Sequence, residues 1–220
     1  MPTIPRVATR LHHFVSGGSG DIQTGCLSLP TVTMEEMLMQ PNDLVLRGRH
    51  NVYNSLAAAV AARVVEVRSD VMRESLRSFE GIPHRLEHVR DVEGVRFIND
   101  AKATTVNAVW YALERFQEPV VLIIGGEDSD RDYHKLIPLI RERVRALILI
   151  GGAAERLHAQ LAPHVKDAVT AETLADAVHL SQLLAQTGDV VLLSPACSSM
   201  DRGESSEATG ERFKQLVSNL

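Results

Sequence analysis

The chain has 220 residues, long for one domain and short for two at roughly 100 to 150 residues each, and 45% are hydrophobic, which excludes global disorder. A formal net charge of -5 and an aromatic content of 4% argue against a dedicated nucleic-acid binder, which needs a basic face and stacking platforms. A small basic pocket for one phosphorylated metabolite stays compatible with that balance.

The first 45 residues hold short extended pieces, 27–32 and 44–46, separated by Ser/Gly/Pro stretches such as SGGSGD at 16–21, a pattern of small hairpins. An Ala-rich stretch predicts a buried helix over 54–67, and a second helix is predicted over 69–79, with Ser69 as N-cap and Gly81 as stop. From Pro83 onward strands and helices alternate. Strands are predicted at 95–99, 119–126, 145–152, 168–170 and 189–196, and helices at 106–116, 133–144, 153–161, 172–186 and 209–220. Continuous apolar strands between amphipathic helices predict a Rossmann-like α/β fold: a mostly parallel sheet with helices on both faces. Ligands of such sheets bind outside the carboxyl ends of the strands, so residues such as Asn99, Asp100, Lys102, Glu127, Ser194 and Ser199 are expected to share one cleft.

Two cysteines, Cys26 and Cys197, form neither a disulfide framework nor a zinc pair, and the chain shows no signal-peptide apolar region. No run reaches the ~20 apolar residues of a membrane helix. A soluble, cytoplasmic, monomeric protein is expected. The histidines are scattered without metal-ligand spacing, so no structural metal is expected.

The most informative segment is FINDAKATT, 97–105. A strand delivers the carboxylate of Asp100 and the ammonium of Lys102, followed by Thr104 and Thr105. Asp accepts hydrogen bonds from a ribose and Lys neutralises a phosphate. The competing explanation is a surface ion pair plus a Thr N-cap. In IPHRLE (82–87), Arg85 suits a phosphate clamp, although an interdomain ion pair explains it as well. In GRHNVYN (48–54), Asn51 and Asn54 stand three apart at a helix start, where capping competes with ligand contact. The loop after 192–196 carries hydroxyls and backbone N–H groups suited to a small carboxylate or phosphate. No histidine beside Ser194 or Ser199 supports a hydrolase, Cys197 is expected to be buried, and neither a phosphate loop nor GxGxxG is present.

Taken in order, LRGRHNVYNSLAAA (46–59), FEGIPHRLE (79–87), VRFINDAKATT (95–105), LIIGGEDSDRDY (122–133) and GDVVLLSPACSSMD (188–201) resemble the Mur ligases, with SPACSSMD pointing to the D-glutamate-adding branch. The resemblance runs from about residue 40 to the end. It implies that residues 1–81 are a remnant of the family's central ATPase domain and 82–220 its C-terminal Rossmann-like domain. The chain has no counterpart of the GxxGK[ST] loop, the Mg²⁺ ligands or the carbamylated lysine of that ATPase domain. A fragment or truncated product of an ATP- and Mg²⁺-dependent ligase, inactive alone, is therefore expected. In the reaction so implied, ATP activates the carboxylate of UDP-N-acetylmuramoyl-L-alanine as an acyl phosphate. The amine of D-glutamate then attacks, giving an amide, ADP and phosphate. By the same resemblance Asn54 approaches the adenine side, Arg85, Asp100 and Lys102 contact the nucleotide's ribose and phosphates, and Thr104, Ser199 and Met200 line the D-glutamate site.

Two departures fall at the D-glutamate end. Ser129 replaces the family's basic residue, with Asp130 at the following glycine, and Ser206 and Thr209 stand where Phe and Arg are typical. Arg131 or Arg202 is expected to supply the missing cation, since a guanidinium fork grips carboxylates bidentately. A ligase for another amino acid and a non-catalytic Rossmann-like binding module are the alternatives.

Overall fold

The computed structural model describes residues 27–30, 35–39, 49–79, 81–127, 131–197 and 204–220. They fall into two compact units that divide between residues 80 and 81. The first contains an antiparallel pair, β1 (Leu27–Pro30) and β2 (Glu35–Met39), and two helices, α1 (Arg49–Val64) and α2 (Ser69–Ser78). Helix α1 starts five residues before the stretch predicted from its alanines, so Asn54 lies inside it. Ser69 does not cap α2: Arg68 holds that position, and no side chain bonds the free N–H groups there. Between the helices Glu66 adopts a left-handed conformation, while its N–H bonds Arg63 O and that of Val67 bonds Ala62 O, a Schellman ending. The extended piece expected at 44–46 lies outside the described residues.

The second unit holds a six-stranded sheet in the order β3–β4–β8–β5–β6–β7. Its strands are β3 (Glu87–Val92), β4 (Val95–Asn99), β5 (Val120–Gly125), β6 (Val144–Ile150), β7 (Asp167–Ala171) and β8 (Val190–Leu193). All neighbours are parallel except the β3–β4 hairpin at one edge. Its two-residue turn, Glu93–Gly94, has positive φ at both positions, the geometry that matches strand twist in tight hairpins.

Successive residues of each central strand feed opposite faces. Val120, Leu122 and Ile124 pack with helices α3 (Val106–Glu114), α4 (Ile137–Arg143) and α5 (Ala154–Leu161). Val121 and Ile123 pack with α6 (Leu174–Leu184) and α7 (Ser206–Ser218). Every residue of β5 is buried, which is why it reads as a continuous apolar run. The α/β sheet with helices on both faces is thus as expected, with β3 added at its edge.

The carboxyl ends of β4, β8, β5 and β6 gather at one rim. A Cβ on Gly125 would lie 2.1 Å from Ile150 O, so only glycine lets the end of β5 run this close to the end of β6.

Candidate functional site at the strand ends

Asn99 closes β4 and is fully buried. Its Oδ1 accepts from Ala101 N at 3.2 Å. Its Nδ2 faces His84 Nδ1 (3.0 Å), Glu87 Oε2 (3.2 Å) and Gly210 O (3.3 Å). On the other side of the imidazole, Nε2 lies 3.5 Å from Glu211 Oε1. His84 is 5% exposed and left-handed, and its carbonyl accepts from Lys102 N at 3.0 Å. Burial works against the Glu87 carboxylate, but the His84 N–H and Lys214 outweigh it and hold Glu87 below the ordinary range. This network fastens the loop after β4 to α7.

Asp100 follows, 6% exposed. Its N–H continues the sheet ladder to Leu193 O at 2.9 Å. Oδ1 accepts from Leu86 N (3.2 Å) and Oδ2 from Ser194 Oγ (3.0 Å). Burial pushes the carboxyl up to about 7, against the pull of those two bonds and of the Arg85 and Arg115 charges. Asp100 therefore sits near half-ionisation at neutral pH.

Lys102 is half-buried, and its Nζ pairs with Glu207 Oε1 at 3.2 Å. Glu207 lies in the first turn of α7, where a backbone N–H, Lys102 and Ser206 hold its carboxyl down to about 2. Thr105 caps α3 by accepting from Ala108 N. Both features of the competing explanation for FINDAKATT, an ion pair and a Thr cap, are thus present, with Glu207 as the acid. Arg85 is exposed and acts on Asp100 through its charge.

Around the loops after β5 and β8, Arg131 Nη1 donates to Thr104 O at 2.5 Å and to Ala196 O at 2.6 Å. Tyr133, fully buried, reaches Cys197 Sγ with its hydroxyl at 3.7 Å, and its N–H donates to Gln160 Oε1. Cys197 is buried, as expected. Thr209 is buried and bonds Glu204 Oε2, while Ser206 opens α7.

The structure thus brings Arg85, Asp100, Lys102, Thr104 and Arg131 to the strand-end rim of one unit. Asn54 is exposed on α1 in the other unit. Ser199, Met200 and Arg202, with Ser129, lie outside the described residues. Glu87, Glu207 and Gly210 were not foreseen: Glu87 opens the charged edge strand β3, and the other two come from α7 at the far end of the chain. Among the described residues, no group of three or more His, Cys, Asp or Glu side chains could hold a metal ion. No helix among them is long and apolar enough to cross a membrane.

Known proteins share this architecture. Residues 84–197 match the family described as Mur ligase, glutamate ligase domain. The UDP-N-acetylmuramoylalanine–D-glutamate ligase of Salinibacter ruber is 53% identical over 205 residues, 93% of this chain and 44% of that protein. The ligase of the same name from Chloroherpeton thalassium is 42% identical over 90% of this chain and 43% of its own length. The chain thus spans less than half the length of these curated relatives. Among solved structures, a pseudomurein peptide ligase type C from Methanothermus fervidus superposes with a TM-score of 0.62 at 18% identity, covering 89% of this chain and 40% of that one. UDP-N-acetylmuramate–alanine ligase from Thermotoga maritima gives 0.58 at 19%, over 80% and 39%. At such identities these two structures speak to the fold alone.

Proposed function

Because the chain belongs to the Mur ligase family, we propose that it forms the C-terminal part of an ATP-dependent amide ligase of peptidoglycan synthesis, acting in the cytoplasm. The reaction is the addition of D-glutamate to UDP-N-acetylmuramoyl-L-alanine through an acyl phosphate. The observation that carries the reading is the β4 end. There the buried Asp100 carboxyl, held by Leu86 N and Ser194 Oγ, stands with the Lys102 ammonium and with the Arg85 guanidinium whose charge acts on it.

Those groups fit a nucleotide. Asp100 can accept from ribose hydroxyls once ionised, exposed Arg85 offers a bidentate fork to a phosphate, and Lys102 offers a point charge if Glu207 yields it. When bound, ATP supplies the phosphoryl group that activates the acceptor carboxylate. Mg²⁺ finds no ligand cluster among the described residues, so its ligands and the triphosphate cradle are assigned to the remainder of the ligase. Asn54 is assigned to the adenine side. Thr104, Ser199 and Met200 are assigned to the amino-acid pocket, with Arg131 or Arg202 providing its cation.

The test uses the full-length ligase that bears these residues. Arg85→Ala and Lys102→Ala are each expected to lower kcat/KM about 10- to 100-fold, matching the ~1.5–3 kcal/mol of a charge-assisted contact. Phosphate release should depend on D-glutamate, and the 220-residue chain alone should release none. Wild-type kinetics in both variants at limiting and saturating ATP would remove the assignment. Nucleotide binding without any amino-acid-dependent turnover would favour the binding-module alternative.

A further inference from the structure

Described residues from three strand-end segments meet at the rim, and one side chain ties them together. The loop after β4 contributes Ala103 and Thr104, the loop after β5 contributes Arg131, and the loop after β8 contributes Ala196. Arg131 Nη1 places its two hydrogens on Thr104 O (2.5 Å) and Ala196 O (2.6 Å), while Ala196 N donates back to Ala103 O at 2.9 Å. The three contacts close a ring through both loops.

Ala196 sits in this ring with φ of 62° and is fully buried. An L-residue without a polar side chain rarely occupies that region, and it persists only where neighbours over-determine it. Here its N–H and its carbonyl are both fixed from outside its own loop. Arg131 is in turn anchored two residues on by Tyr133, which is buried against Cys197, the residue after Ala196. A guanidinium is well shaped for such a tie. The two hydrogens on one of its nitrogens diverge within a rigid plane, so two carbonyls from different loops can be held at fixed spacing.

We infer that Arg131 is a positioning residue that clasps the loop after β4 to the loop after β8, and so sets the spacing between the two walls of the amino-acid pocket. It acts through the two carbonyls, which leaves the substrate carboxylate to another cation. The inference rests on the ligase reading for the word pocket, but the clasp itself does not.

Two measurements separate them. In the 220-residue chain, amide exchange at Ala196 reports the clasp without any substrate. Arg131→Met, which keeps the apolar stem, is expected to speed that exchange at least about tenfold, and Arg131→Lys, whose ammonium can still donate to both carbonyls, to restore protection. In the full-length ligase, Arg131→Met should raise KM for D-glutamate with little change in KM for ATP, and Arg131→Lys should recover most of the loss. Unchanged Ala196 exchange in a folded Arg131→Met chain overturns the clasp. A raised KM for D-glutamate beside unchanged Ala196 exchange marks a direct carboxylate contact instead. A wild-type ligase that ignores D-glutamate while Ala196 exchange still responds would sink the ligase reading and leave the clasp standing.

Discussion

Asp100 meets solvent with little of its surface, yet carries hydrogen bonds from Leu86 and Ser194 that favour its charged form. Burial wins, and its proton leaves near pH 7, against an ordinary value of 3.8. Because the folded value is the higher one, the stabilising contribution is complete below about 3.8. It declines as pH rises, since the folded state then holds a proton that the unfolded chain has released, and it is gone above about 7. The span corresponds to a few kcal/mol, on the order of 4. Asp100→Asn should therefore remove this slope. The amide can still accept from Leu86 N and donate to Ser194 Oγ, so the variant should match the wild type near the acid end of that range and exceed it at its alkaline end. Thermal unfolding at both ends measures this, and a difference that does not change with pH would refute it. The same substitution should weaken nucleotide-dependent turnover in the full-length ligase if Asp100 is the ribose acceptor.

Helix α7 depends on a glycine in its first half. An added Cβ at Gly210 would lie 2.3 Å from His84 Nδ1, and the ring cannot retreat while Asn99, Glu87 and Glu211 surround it. Gly210→Ala is expected to destabilise by about 1–3 kcal/mol, although alanine is the better helix former. In a His84→Ala background the cost should vanish or reverse, and denaturant titration of the four-member cycle decides it. This contact also marks where the sequence stops being readable. Strands β5, β6 and β8 are legible because burial on both faces leaves uninterrupted apolar runs. Edge strand β3 escapes notice because EHVRDV is half-exposed and charged; only the Glu93–Gly94 pair between it and VRFIN hints at a hairpin. Similarly, Asp100 and Lys102 stand out because chemistry at a strand end follows from the fold class. Glu207, the partner of Lys102, and Gly210, the partner of Asn99, come from the far end of the chain, and no local pattern announces them.

At the scale of the whole molecule, the second unit builds its core from its own residues. The clusters on the two faces of the six-stranded sheet draw every member from Leu86 onward, with β5 at their centre. In the unit before residue 81, Ala59 and Met72 are buried, with partly buried neighbours such as Leu56 and Val60. Hydrophobic burial is the largest favourable term in folding, and the second unit has two such clusters formed entirely from its own residues. Its network of Asn99, His84, Glu87 and Gly210 is likewise complete within itself. A chain of residues 81–220 alone should therefore fold, keep the α/β circular dichroism signal, and unfold in one cooperative transition at a midpoint close to that of the 220-residue chain. Residues 1–80 alone should show no cooperative transition, because helices of α1 and α2 length are marginal in water without a packed partner. Calorimetry on the two pieces and the whole separates the possibilities. A shorter chain that melts without cooperativity, or far below the parent, would mean that the first unit stabilises the sheet, and that the division at residue 80 is not an energetic boundary.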